Sequence, residues 1–260
     1  TGAGNIIVHA LIYLLVALSM IPQLVVVYTS FLETRGAVFT GGYSLESYTT
    51  IFSSLGTAIS NTYLYSTAAI LVIVFLGMTV AYLTTRRKSA LTDIIDTLTM
   101  FPYIIPGSVL GITLLLAFNE EPLLLSGTAL IIIISLVIRR LPYTLRSSSA
   151  ILYQISPSIE EASISLGASP LKTFFKVTAV MMLPGVMSGA ILSWITAINE
   201  LSSSVILFTG ATKTMSVAIY TEVIRASYGT AAALSTILTL TTIVAMVTFF
   251  KVSGSKDVTL

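Results

Sequence analysis

The chain has 260 residues, of which 55% are hydrophobic and only 9% are charged. Together with a mean hydropathy of +0.96, this composition leaves too little polar surface for a water-soluble globule and predicts a membrane protein. The absence of cysteine excludes disulfides, thiolate metal sites and cysteine nucleophiles. The formal net charge of +2, without a basic face that carries interleaved aromatic residues, argues against nucleic acid as a partner.

Long apolar runs predict helices of about 20 residues or more, because hydrocarbon offers a bare backbone no hydrogen-bond partner. The runs cover residues 5–32, 59–84, 94–118, 129 onward, 181–208 and 230–252. The fourth reaches Arg139 and Arg140 early, so we expect it to end in a cytoplasmic extension that carries Arg146. The predicted fold class is an all-α membrane protein with about six transmembrane helices in a single domain over residues 1–260.

The cations are distributed unevenly between the predicted loops. With both termini cytoplasmic, the cations on the inside are Arg86, Arg87, Lys88, Arg139, Arg140, Arg146, Lys172, Lys176, Lys251 and Lys256. Only Arg35, Lys213 and Arg225 would lie outside. This is the asymmetry of the positive-inside rule, and the opposite orientation would invert it.

The segment 156–180, between the fourth and fifth runs, carries the start signals of two short helices. Ser156 or Ser158 can cap the first helix, and Ser158 with Glu161 has the spacing of a capping box. A proline between the two serines suits a first helical turn, and Gly167 is placed to end the helix.

The second helix begins with the same signals. Ser169 precedes Pro170, and Lys172 and Lys176 then share one face at a spacing of four residues. The pattern predicts a helix-turn-helix elbow on the cytoplasmic face. By pattern alone, an ordinary amphipathic connector on the bilayer surface fits equally well.

A resemblance to a known family favours the elbow. Glu161-Ala162-Ser163, three further residues, Gly167, and then nine residues before Val177 resemble the EAA signature of binding-protein-dependent ABC importer permeases. In that family this loop is the coupling helix, which docks in a groove of the ATP-hydrolysing subunit. The resemblance therefore implies the type I importer permease fold. It also implies an ATPase-coupling set of Glu160, Glu161, Ala162, Ser163, Gly167, Ala168, Ser169 and Pro170.

Two departures from the signature bear on local helix geometry. The third position is Ser163 instead of alanine, and the usual Leu-Pro pair reads Ala179-Val180, with a proline arriving later at Pro184. The glutamate, the glycine and their spacing are kept. Small side chains at Ala162 and Ser163 would let a partner approach closely.

Other segments extend the resemblance over nearly the whole chain. Residues 43–52 look like the external stretch after the first span, residues 101–112 are similar to the third span of the Fe(III) branch, and residues 198–204 to its fifth. The resemblance ranks ferric iron first as solute. Related branches move polyamines, thiosulfate, phosphonates and thiamine.

The resemblance also implies that the chain lies in the inner membrane and has several partner proteins. These are ATPase subunits, expected to be two, that bind ATP and Mg²⁺, and a substrate-binding protein that captures the solute. A second permease unit is needed because about six helices do not enclose a path. It would be an identical chain, a separate homologue or a preceding half of one fused polypeptide, and a start at Thr1 suits a second half as well as a trimmed chain.

Two segments supply candidates for the translocation path or gate. Pro102 and Pro106 each remove a backbone donor, which kinks the third span and frees carbonyl groups beside Gly107. Glu200 lies near the outer end of the fifth run, where placing an ionisable side chain in the membrane costs free energy. Ser202 and Ser203 continue a polar stripe beside it. Close packing of the glycines and an interhelical bond to the carboxylate remain the alternatives. We predict no metal ligand, because the binding protein captures the solute in this family.

The sequence lacks the motifs that enzyme functions would require. No phosphate-binding Gly-x-x-x-x-Gly-Lys-Ser/Thr loop occurs, so we expect no cofactor on this chain and ATP hydrolysis elsewhere. A proton-coupled secondary transporter is the main rival, but it predicts acidic or histidine relays across several spans, for which Glu200 and His9 are thin support. A purely structural subunit would leave the EAA-like segment unexplained.

Overall fold

The computed structural model describes residues 3–253, so Lys256, one of the predicted cytoplasmic cations, lies outside the described residues. The helices are α1 Ala3–Thr29, α2 Glu46–Thr50, α3 Gly56–Arg86, α4 Ala90–Ile104, α5 Gly107–Ala117, α6 Ala129–Gln154, α7 Pro157–Ser165, α8 Pro170–Thr173, α9 Ala179–Ile198, α10 Ser204–Leu207, α11 Met215–Ile224 and α12 Tyr228–Ser253. Strands β1 Leu32–Arg35 and β2 Val38–Tyr43 form one hairpin. Two π-helical turns, Ile51–Leu55 and Phe174–Thr178, join α2 to α3 and α8 to α9.

Four continuous helical segments are long and apolar enough to cross a membrane. They are Gly4–Thr29, Glu46–Arg86, Pro170–Ile198 and Tyr228–Lys251. The pair α4 and α5 counts as a fifth if it is one broken span and not a re-entrant loop. Among the described residues, α6 does not meet the same test of apolarity, although its 26 residues extend for about 39 Å at the usual helical rise. Four or five such spans are roughly consistent with the predicted six, with three differences in detail.

The first difference is in the third run, which is not one helix. The axes of α4 and α5 meet at 110°, so the predicted kink is a sharp bend. Ile105 is extended, with φ −71° and ψ 128°, as expected for a residue before proline. Pro106 then begins α5 as its N-cap, while Pro102 is accommodated inside α4.

The second difference concerns Arg139 and Arg140, which we had assigned to the cytoplasmic side. Both lie inside the continuous helix α6, about 15 Å from its start at 1.5 Å per residue. Their side chains are only 16% and 13% exposed. The helix continues past them because both guanidinium groups find a partner in the protein interior. Arg146, further along α6, is half exposed and pairs with Asp96 of α4 at 3.1 Å.

The third difference is in the fifth run. The helix ends at Ile198 instead of continuing to residue 208. A turn follows, and the short helix α10 begins at Ser204. Glu200 lies in this turn, two residues beyond the end of α9 and beside Arg139 of α6, so it lies near an end of this span, as predicted.

The core is built on α6, which packs between α3 and α9. Close approach depends on small residues. A Cβ on Gly189 would lie 2.7 Å from Cα of Thr144, and one on Gly185 would lie 2.6 Å from Cβ of Ile151. Close packing of the helices therefore accounts for these two glycines. Gly77 of α3 meets Thr144 from the other side, where an added Cβ would be 3.1 Å from its methyl group.

Two elements were not predicted. The hairpin pairs Thr34 with Phe39 and Arg35 with Val38, and turns at Gly36 with φ +61°. It packs on the start of α12, where a Cβ on Gly229 would lie 2.6 Å from Oγ1 of Thr34. The apolar helix α11 packs against α12. Both elements are too short to be recognised by a search for membrane spans.

Candidate functional site

The elbow between α6 and α9 forms, but the predicted capping box of Ser158 with Glu161 does not. Ser156, rather than Ser158, is the N-cap of α7 and accepts the Ser158 N–H at 3.4 Å. The helix ends before Gly167, whose φ of +91° is in the left-handed region that favours glycine. Ser169 then caps α8 by accepting the Lys172 N–H at 3.3 Å. The second arm continues through the π-helical turn into α9, so it is the beginning of a span and not a separate helix.

Ser163 joins the two arms of the elbow. Its hydroxyl lies 3.0 Å from that of Thr173 on the second arm, and its carbonyl accepts the Ala168 N–H at 3.2 Å. The serine that departs from the family signature therefore has a structural role. The arms are held together by hydrogen bonds as well as by the chain.

Glu160 of the predicted coupling set is largely buried and forms contacts within the chain. Its carboxylate accepts from Arg86 Nε at 3.1 Å and from the Tyr82 hydroxyl at 3.1 Å. Arg86 also donates through Nη2 to the Ile155 carbonyl at 2.6 Å. These contacts tie the elbow to the end of α3. Arg86 and Tyr82 were missed, because partners more than seventy residues away have no signal in the sequence.

The outer surface of α7 is exposed. Glu161 and Ala162 face solvent, and the side chains of Ile164 and Leu166 are 46% and 90% exposed. Exposed apolar side chains beside a carboxylate, on a helix anchored at both ends, have the character of a docking surface.

A second cluster surrounds Glu200, which is only 3% exposed. Its Oε2 accepts from Arg139 Nε at 3.2 Å and forms an ion pair with Arg140. Its Oε1 accepts the Ser203 N–H at 3.1 Å, and Ser135 donates to the Ser203 hydroxyl at 2.9 Å. Two cations thus share one carboxylate inside the helix bundle, which leaves an excess positive charge.

This cluster adjoins the break between α4 and α5. Arg139 Nη1 donates to the Ile105 carbonyl at 3.3 Å. A Cβ on Gly107 would lie 2.5 Å from Cβ of Ser202 and 2.8 Å from Arg139 Nη1. The fold therefore brings Gly107, Glu200, Ser202 and Ser203 to one place, with Pro106 at the break and Pro102 apart within α4.

Polar groups near the cluster are exposed. Asn199 and Ser202 border Glu200, and Ser108 follows Gly107 on α5. Within a bilayer, exposed polar groups are tolerated where they face protein or water. Among the described residues, no group of three or more His, Cys, Asp or Glu side chains is placed to hold a metal ion.

Two solved ABC transporters contain chains with this fold. A chain of the bacterial transporter that imports the acidic polysaccharide alginate superimposes with a TM-score of 0.74, over 96% of this chain and 95% of that one, at 12% identity. A chain of the inward-facing MetNI methionine ABC transporter gives a TM-score of 0.63 over 81% of this chain and 97% of that one, at 15% identity. The fold is that of type I ABC importer permeases.

The family follows from sequence. Residues 73–252 match the profile of the family described as "Binding-protein-dependent transport system inner membrane component". The chain belongs to this family of multi-pass inner-membrane permeases.

Three curated relatives illustrate the range of solutes. The ferric transport permease FbpB of Actinobacillus pleuropneumoniae is 32% identical over 228 residues, which are 86% of this chain and 33% of that protein. The molybdate/tungstate permease WtpB of Pyrococcus abyssi is 29% identical over 58% of this chain and 59% of that protein. The protein named "Putative 2-aminoethylphosphonate transport system permease protein PhnV" of Salmonella typhimurium is 31% identical over 56% of this chain and 55% of that protein. The chain spans about a third of the length of the ferric permeases it matches.

Proposed function

We propose that this chain is the permease subunit of an ATP-driven importer that moves a solute delivered by a binding protein, with ferric iron as the solute. The observation that carries the proposal is the elbow. It presents Glu161, Ile164 and Leu166 outward. Arg86 fastens it to α3, and Ser163 joins α7 to α8. A subunit that docks on this exposed surface would move the spans, because hydrogen bonds fix the elbow to them.

The motor is an ATPase subunit that docks on this surface. In the proposal two ATPase subunits bind ATP and Mg²⁺, and this chain binds neither. Force on α7 reaches the end of α3 through the Arg86–Glu160 ion pair, whose side chains are only 13% and 12% exposed. It reaches α9 because Pro170–Ile198 is one continuous helical segment. Closure of the ATPase pair would thus rotate two spans together.

The path lies on the surface that carries Asn199 and Ser202. Since polar groups there need water or protein, the second permease unit covers this surface. That unit is an identical chain, a homologue or a fused half. The Glu200 cluster fixes the break between α4 and α5 at the wall of the path, through Arg139 and Ile105.

Ferric iron ranks first as solute because two ferric permeases are each 32% identical to this chain. The molybdate/tungstate and 2-aminoethylphosphonate permeases support oxyanions as the second candidate class. The test is reconstitution with the ATPase and with separately loaded binding proteins. Stimulation of ATP hydrolysis by the ferric form supports the first choice, and stimulation by the oxyanion forms alone overturns it.

Glu161→Lys tests the docking surface. The substitution reverses a charge on the exposed face of α7 and disturbs no contact within the described chain. We expect the ATPase to be lost from the purified complex and solute uptake to fall at least about tenfold, as when a charge contact in an interface is reversed.

Glu120→Lys is the matched control. It makes the same change of charge on an exposed residue in the loop between α5 and α6, at the other end of α6. The control should assemble and transport like the unaltered chain. Normal assembly and uptake of Glu161→Lys would remove the elbow from the coupling mechanism.

A further inference from the structure

An apolar groove with a basic end lies between α3 and the second arm of the elbow. Its volume is about 370 Å³. Phe75, Thr79, Leu83 and Arg87 form one wall. They are spaced by four residues, so they follow one face of α3 and its end for about 18 Å. Along this wall the character changes from apolar at Phe75 to cationic at Arg87.

The other wall comes from the elbow. Leu171 and Phe175 line it and are 69% and 53% exposed. At the base of the groove Phe174 is 8% exposed and packs on Tyr82, with ring centroids 4.8 Å apart. Any molecule in this groove therefore touches both α3 and the helix that carries the coupling surface.

The basic end has an arginine without an acidic partner. None of the ion pairs formed within the described part of the chain includes Arg87 or its neighbour Lys88. Arg87 is exposed and lines the groove itself, whereas Lys88 is exposed beside it and does not. The groove thus offers a cation at the membrane surface and apolar walls that run toward the membrane interior.

We propose that this groove binds an anionic phospholipid, with the phosphate on Arg87 and one acyl chain along Leu83, Thr79 and Phe75. The order of the lining side chains matches the order of groups in such a lipid: charge at the interface, then hydrocarbon. Basic pockets between spans at the cytoplasmic side are a recurrent site for anionic headgroups. The bound lipid would brace the elbow against α3, so that the leaflet composition sets how firmly the coupling surface is held.

The test counts lipids retained by the full chain. The purified protein is equilibrated with phosphatidylglycerol or phosphatidylcholine, and bound lipids are counted by native mass spectrometry. We expect retained phosphatidylglycerol to exceed phosphatidylcholine. Arg87→Gln should lower retention of phosphatidylglycerol by about fivefold, the effect of one basic residue near an anionic lipid.

Lys88→Gln is the matched control, because it removes the same charge from the next residue outside the groove. It should lower retention of phosphatidylglycerol by less than Arg87→Gln does. Thr79→Phe fills the groove without changing charge and should lower retention of both lipids. It also provides a second test if Arg87→Gln does not fold.

Two results would overturn the proposal. One is an equal loss of phosphatidylglycerol in Arg87→Gln and Lys88→Gln, together with no effect of Thr79→Phe, which would indicate attraction by the surface alone. The other is an assembled importer that retains no lipid and in which the variant Phe175→Cys cross-links to a partner subunit. The groove would then be a protein interface.

Discussion

Glu200 shows how one buried carboxylate organises its surroundings. It accepts hydrogen bonds from Arg139 and Ser203, and pairs with Arg140. These charges can be buried because each of them is paired with a group of opposite charge. Removing one partner lowers the stability of the fold when it leaves another buried charge without a counter-ion. Removing Glu200 leaves two arginines unpaired, whereas removing one arginine leaves the other paired with Glu200.

Glu200→Gln should destabilise the chain more than Arg140→Gln does. The first change leaves two cations facing each other, and we expect a loss of about 3–5 kcal/mol in the free energy of unfolding. The second leaves Arg139 paired with Glu200. Thermal unfolding in detergent, followed by fluorescence of Trp194, the one tryptophan of the chain, measures both effects.

The double variant Glu200→Gln, Arg140→Gln serves as the control for that comparison. It should recover part of the stability lost in Glu200→Gln, because one unpaired cation is removed. A larger loss in Arg140→Gln than in Glu200→Gln would contradict the assignment of Glu200 as the shared partner.

At the scale of elements, the helices α6 and α9 are held close by glycine. Gly189 faces the backbone of Thr144, and Ser147 donates to the Gly185 carbonyl at 2.6 Å. Small residues at such contacts replace the hydrophobic driving force that lipid cannot supply. The contact fixes the angle at which α9, and with it the elbow, leaves the bundle.

Gly189→Ala tests this packing. The added methyl group would lie 2.7 Å from Cα of Thr144, and the backbone there cannot move aside as a flexible side chain would. We expect a loss of about 1–3 kcal/mol in the free energy of unfolding, measured by the unfolding of Trp194 fluorescence.

Gly210→Ala is the matched glycine substitution, because an added Cβ there meets nothing within 4 Å. Its unfolding transition should stay close to that of the unaltered chain. Equal shifts in the two variants would show that helix contact at Gly189 does not limit stability.

At the scale of the whole molecule, the hairpin and the elbow lie at opposite ends of the long helices. α3 begins near the hairpin side and ends at Arg86, beside the elbow. The positive-inside rule predicts that the elbow is cytoplasmic and that the hairpin is outside. Both termini would then be cytoplasmic.

Single cysteines test this orientation directly, because the chain has none of its own. Ala37→Cys in the hairpin turn should react with a membrane-impermeant maleimide in intact spheroplasts. Ser165→Cys on α7 should react only in inverted vesicles. Both positions are exposed, so the difference reports the side of the membrane, and the reverse pattern would contradict the predicted topology.

What the sequence by itself determined is local. Apolar length located the long helices, and the cap residues Ser156 and Ser169 with Gly167 defined the elbow, because caps and turns depend on neighbours within a few residues. Proline spacing indicated a kink in the third run. The resemblance carried by residues 161–177 indicated the family.

Only the tertiary structure decided which distant groups meet. It turned Arg139 and Arg140 from expected cytoplasmic cations into partners of Glu200, and it turned Glu160 inward onto Arg86. It also converted a kink into a bend of 110°, closed by the bond from Arg139 to Ile105. The reason is that an ion pair across helices joins residues about sixty to seventy positions apart, and neither periodicity nor local propensity carries information at that distance.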